Sequence, residues 1–243
     1  MWNGSELKAK GKAAMKANYG IALVVSFILS VVGGAATGGS MGSSAGSSAS
    51  EAANSFKELG LDSETVTAIV LAILGTVLVV AVVGLVLDIF VLNPLEVGCQ
   101  NFFLRNTDAP GELGDLSRGF SPSWMNNVGT LFLRDLFLIL WSCLFLIPGI
   151  IKGYSYRLVP YIMAENPEMK GTEAITLSRK LMNGNKWKAF CFDLSFIGWF
   201  LLSVITCGLV GVFYTLPYYN CSCAELYKAI RDERSVSPVV SEQ

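Results

Sequence analysis

Apolar residues in this chain run in long stretches and do not alternate with polar ones at the period of a half-buried strand. A helix needs about 20 mainly apolar residues to cross a hydrocarbon core of roughly 30 Å. Tyr19 to Ala36, Thr65 to Leu92, Val128 to Ile147 and Lys188 to Thr206 meet or approach that length. Two shorter stretches extend the pattern: Gly149 to Glu165, which carries Lys152 and Arg157, and Leu209 to Tyr227, polar in its second half and placed after a turn at Cys207-Gly208. Together they predict an all-α integral membrane helical bundle, with six transmembrane helices arranged as three repeated hairpins. If Gly149 to Glu165 only lies in the interface, the count drops to five and the C-terminus changes side.

Shorter amphipathic segments separate the spans. In Thr172 to Gly184 the residues Ala174, Ile175, Ser178, Leu181 and Met182 share one helical face, with Thr172 as N-cap and Asn183-Gly184 as stop signal. This segment is expected to lie flat on the membrane, the alternative being a helix packed on the bundle. Residues 1–18 place Leu7, Ala14 and Met15 among four lysines, which suits an anionic inner leaflet. The chain then reads as one membrane domain over 1–243: a basic N-terminal helix (1–18), hairpins at 19–92, 128–165 and 188–227, the amphipathic helix 172–184 and a tail, 228–243. The Gly/Ser-rich stretch inside 37–64 has the composition of a flexible linker and is expected to form a mobile external loop.

Basic residues test the topology, because Lys and Arg concentrate in cytoplasmic loops. Residues 1–18 hold four, 95–127 two, 165–188 five and 228–243 three, against Lys57 and Lys152 on the opposite side. Both termini are therefore expected in the cytoplasm. A secretory signal peptide ending near Gly34-Ala35-Ala36 is the competing reading of the start.

Aligned beneath one another, the hairpins repeat. Asn18, Asn127 and Asn185 stand at the head of each first span, with Leu23, Phe132 and Phe190 five residues later. The second spans share a late proline: Pro94, Pro160 and Pro217.

Ionisable residues inside spans are costly and are functional candidates by default. Five stand out: Asp88, Arg134, Asp135, Arg157 and Asp193. Asp135 and Asp193 follow the repeat asparagine by eight residues, with Ser26 at the matching place, which puts all three ~12 Å into the bilayer. Pairing of Arg134 with Asp193 or Asp88, and of Arg157 with Asp135, is expected. These pairs either hold the hairpins in register or line a polar path, or a site for a lipid head group or small ion. Each span proline removes a backbone hydrogen bond and frees a carbonyl. Kinks are the plain outcome; a polar cavity near Pro94, Pro160 and Pro217, with Asn93, Tyr161, Tyr218, Tyr219 and Asn220, is the sharper one.

Composition narrows the chemistry. Hydrophobic residues make up 52% and charged residues 15% of the 243 positions, which rules out an ordinary water-soluble domain. With 18 basic and 19 acidic residues no global field favours nucleic acid, and the absence of histidine removes the commonest metal ligand. Cys99, Cys143, Cys191, Cys207, Cys221 and Cys223 lack ligand spacing and read as small apolar side chains. No nucleophile and base stand at a recognisable spacing. Neither catalysis, nor a metal, nor a cofactor is expected.

The segments SELKAKGKAAMKANY, NPLEVGCQNFF, LFLIPGIIKGYSYRLVPYIMAENPE, LSRKLMNGNKWKAF, FIGWFLL and LPYYNCSCAELY resemble the bacterial multi-pass membrane family known as domain of unknown function 975 (DUF975). The resemblance covers most of the chain and is weakest in the Gly/Ser-rich stretch. It implies a bacterial plasma-membrane protein and carries over no catalytic or ligand residues. The expected function is a non-catalytic accessory or scaffold acting on lipids or partner proteins at the inner leaflet; the alternative is a transporter or channel for a small solute or ion. Expected partners are membrane lipids, other membrane proteins or a second copy, and no nucleic acid.

Overall fold

The computed structural model describes residues 2–36, 63–120, 123–144 and 146–235. Among the described residues all regular structure is helical. The α-helices are α1 (Gly4–Ala17), α2 (Tyr19–Ala36), α3 (Ser63–Leu87), α4 (Asn93–Asn106), α5 (Trp124–Leu144), α6 (Leu146–Tyr156), α7 (Val159–Glu165), α8 (Gly171–Met182), α9 (Lys186–Leu194), α10 (Ile197–Ile205) and α11 (Leu216–Ser235). Widened π-turns at Asp88–Leu92 and Gly211–Thr215 precede α4 and α11, and a 3-10 segment spans Leu113–Phe120. Most of the linker-like loop at 37–64, and the tail beyond residue 235, lie outside the described residues.

The packed core gathers the polar and amphipathic helices. The Asn3 side chain caps α1 by accepting a hydrogen bond from the Ser5 N–H at 3.1 Å. Leu7, Gly11, Ala14 and Met15 then recur at helical spacing and are buried against α11. At Gly11 the two backbones nearly touch: a Cβ there would stand 2.7 Å from the Ser222 Cα. α8 buries Ala174, Ile175, Ser178, Leu181 and Met182, the face its periodicity predicts. What covers that face is protein, from α5, α6, α7 and α11, so the expectation that this segment lies flat on the membrane is corrected. Its cap also differs: Lys170 is the N-cap, while Asn183 and a left-handed Gly184 end the helix as expected.

α4 is the largest departure from the sequence reading, which left residues 95–127 as a loop. Eleven of its 14 residues are buried, and the 3-10 segment lies directly across it. A Cβ at Gly119 would stand 1.8 Å from the Pro94 carbonyl oxygen, so this crossing requires glycine.

The apolar helices stand out from this core. Leu71, Leu78 and Val80 of α3 are each more than 60% exposed, and exposed apolar side chains run along its whole length. Ile139, Leu140 and Leu144 of α5, Ile147 and Ile150 of α6, and Val204 and Ile205 of α10 continue the exposed apolar surface. Among the described residues three runs are long and apolar enough to cross a membrane: Thr67–Asn106, Trp124–Leu144 and Lys186–Ile205. A fourth arises if Gly4–Ala17 and Tyr19–Val32, bent by 109°, count as one. The remaining two predicted stretches take a broken form, α6 and α7 parting at Arg157-Leu158 and a π-turn leading into α11.

The three repeat prolines share a local solution. Pro94 and Pro217 each occupy the second position of a helix that follows a π-turn, and Pro160 occupies the same position in α7 after a break. A proline lacks the N–H and crowds the carbonyl four residues back; widening or breaking the preceding turn accommodates both.

Candidate functional site

Two arginines organise the interior of the span region. Arg134, on α5, donates from Nη1 and Nη2 to Glu96 Oε1 and Oε2 of α4 at 3.0 and 2.9 Å, and from Nε to Asp135 Oδ1 at 2.8 Å. The parallel fork fits the planar guanidinium, a geometry a lysine could not reproduce. Only 12% of the Arg134 side chain is exposed, so these bonds replace hydration the group has lost. The buried Asn93 stands beside Asp135.

Arg157, at the break between α6 and α7, forms the second cluster. Its Nη1 donates to Asp193 Oδ2 at 2.7 Å and its Nη2 to Oδ1 at 3.0 Å. Nη2 also reaches the Tyr219 hydroxyl at 2.9 Å and the Cys223 sulfur at 3.1 Å. The Tyr154 and Tyr219 hydroxyls donate to Asp193 Oδ2 and Oδ1 at 2.9 and 3.0 Å. Asp193 thus accepts four hydrogen bonds, nearly the full capacity of a carboxylate.

Both clusters border one cavity of about 370 Å³. Glu96 and Arg134 stand on its wall with Arg157 and Asp193, joined by Tyr161, Tyr219 and Asn220. These four charges sum to zero, and each faces its opposite. Gln100 also lines the wall; it is 8% exposed and its Oε1 has no hydrogen-bond partner. Such a wall can hold a polar group by hydrogen bonding; Asp193, already accepting four bonds from guanidinium and hydroxyl donors, is poorly placed for proton transfer.

The sequence-predicted charges therefore come together with different partners. Arg134 pairs with Glu96 and Asp135, not with Asp193 or Asp88; Arg157 pairs with Asp193, not with Asp135. Asp135 is the immediate neighbour of Arg134 and turns back onto it, and Glu96 completes the fork, so Arg134 has no need of a carboxylate from the third hairpin. Asp88 sits at the start of the π-turn, within electrostatic reach of Asp135, Glu96 and Arg134, with Oδ1 buried and unpartnered. Neither Asp88 nor Asp135 lines the cavity. Of the polar-cavity candidates Tyr161, Tyr219 and Asn220 line it; Asn93, Pro94, Pro160, Pro217 and Tyr218 instead shape the helix starts around it.

Glu96, Gln100, Tyr154 and Cys223 were missed by the sequence reading. Glu96 and Gln100 fall just past the predicted span, and only continuation of the helix through Pro94 places them inside. The repeat asparagines all bond to nearby carbonyls: Asn18 to Gly111, Asn127 to Gly119 and Asn185 to Leu181, at 2.7, 3.0 and 3.2 Å.

A third charged cluster lies at the far end of α11. Glu165 accepts from the Tyr227 hydroxyl at 2.7 Å and pairs with Arg231, and Lys228 pairs with Asp108 at 2.6 Å. Among the described residues no group of His, Cys, Asp or Glu is arranged to hold a metal ion.

The family model described as a protein of unknown function (DUF975) matches residues 117–234. The matched region starts within the 3-10 segment and ends in α11, so it takes in Arg134, Arg157 and Asp193 but not α1 or the α3–α4 run. No curated protein and no solved structure matches the chain.

Proposed function

We propose that this chain, which belongs through residues 117–234 to the DUF975 family, is a non-catalytic membrane component that acts as an accessory or scaffold for lipids or partner proteins at the inner leaflet. The observation that carries this reading is α3. Its apolar side chains are exposed on all sides, and only lipid or another span would keep them from water. Asp193 points the same way, because its four hydrogen bonds leave it little capacity to load a proton or ion.

In the finer reading, the broken elements complete two further crossings, giving six spans in three hairpins with both termini in the cytoplasm. Two tight outer contacts favour it. A Cβ at Gly149 would stand 2.8 Å from the Ser142 hydroxyl, and one at Gly211 2.1 Å from the Ser203 hydroxyl, so both hairpins close glycine against serine. A reporter fused after Gln243 is expected on the cytoplasmic side; an external reporter would reduce the count to five. A bacterial plasma membrane is the location this family resemblance suggests.

The second reading is a small-solute or ion transporter, favoured by a charged cavity beside proline-interrupted helices. The pair Asp135→Asn and Asp193→Asn separates the two. An accessory protein loses stability or assembly, whereas normal expression, melting and partner capture with abolished flux would establish transport.

A further inference from the structure

We propose that the charged cavity binds the head of a net-neutral lipid bearing a primary ammonium and a phosphate, with one acyl chain leaving along the adjoining apolar groove. This deepens the lipid-handling side of the proposed function and rests on it. The polar cavity and a nearly wholly apolar groove of about 210 Å³ share two wall residues, Ile150 and Tyr154. Trp187 and Phe190, stacked with centroids 5.3 Å apart, form the groove's far side. A polar recess continuous with an apolar channel fits a molecule with a head and a tail.

Charge selects the head. On the wall Glu96, Arg134, Arg157 and Asp193 cancel, and Asp135, bonded to Arg134 behind it, adds one negative charge, so an anionic head group meets repulsion whereas a zwitterion with an ammonium does not. Both poles of a zwitterion find partners. A guanidinium has five N–H groups, and Arg134 uses three on Glu96 and Asp135, leaving donors for phosphate oxygens. At the other pole, the unpartnered Gln100 Oε1 requires a donor, which an ammonium supplies and a quaternary amine lacks.

The test uses the full chain in nanodiscs, with lipid retained per chain read by native mass spectrometry. Phosphatidylethanolamine is expected to outcompete phosphatidylglycerol and phosphatidylcholine by about tenfold. Gln100→Leu should erase the preference over phosphatidylcholine at unchanged melting. Ile151→Trp, at an exposed position that lines the groove and not the polar cavity, should lower retention without altering the polar wall, and keeps the test open should the Gln100 variant not fold. Soluble glycerophosphoethanolamine, a phosphodiester with the same net-neutral head, distinguishes the sources: failure to displace the lipid supports a lipid ligand, and displacement supports the same chemistry in a free zwitterion. Equal retention of the three lipids, a preference for phosphatidylglycerol, or full retention in both variants would overturn the proposal. Solute flux with the head-group preference intact would overturn only the accessory reading.

Discussion

At the scale of single residues, the energetics of the span region depend on leaving no charge alone. Asp193→Asn removes the carboxylate that Arg157, Tyr154 and Tyr219 share, and strands a guanidinium that is 18% exposed. It is expected to cost about 3 kcal/mol in detergent unfolding, the scale of a broken buried ion pair. Replacing both partners, Arg157→Met with Asp193→Leu, should recover most of that loss; a double variant as unstable as the sum of the singles would show that the two residues contribute independently and not as a pair. Asn106 makes a different point. Its Nδ2 donates to the Ala14 carbonyl at 3.0 Å, tying α4 to α1, so Asn106→Ala should cost about 1–3 kcal/mol by the same measurement.

At the scale of elements, the apolar and the packed helices should respond to opposite insults. Gly11→Leu forces a side chain into the Ser222 backbone and is expected to destabilise the core by about 1–3 kcal/mol while leaving membrane insertion intact. Val80→Arg, in the exposed stretch of α3, should do the reverse, raising the insertion cost by about 3 kcal/mol in a glycosylation-mapping assay without altering the core. The same division explains what was legible in sequence. The boundaries of α2 and the buried face of α8 follow from hydrophobic length and period alone. α4 was not legible, because its core positions include Asn93, Gln100, Asn101 and Asn106, which read as loop residues. Asn101 and Asn106 are buried because they bond to the carbonyls of Asp115 and Ala14, partners that only the folded chain brings near. The charge pairs were half-legible: residue type marked the five candidate charges, but the choice among carboxylates depends on how the helices pack, which spacing along the sequence does not encode.

At the scale of the whole molecule, the packed helices form a base from which the apolar helices project. The family match covers residues 117–234 and omits the α3–α4 run, the element that contributes Glu96 and Gln100 to the cavity. Thr67–Asn106 counts as a single 40-residue run, ~60 Å long at 1.5 Å per residue, against a bilayer of about 40–45 Å including head groups. Its outer part carries exposed apolar side chains and its inner part is buried in the core, with the π-turn between them. Any tilt of the exposed arm would be passed along one helical run to Glu96 and Gln100 on the cavity wall.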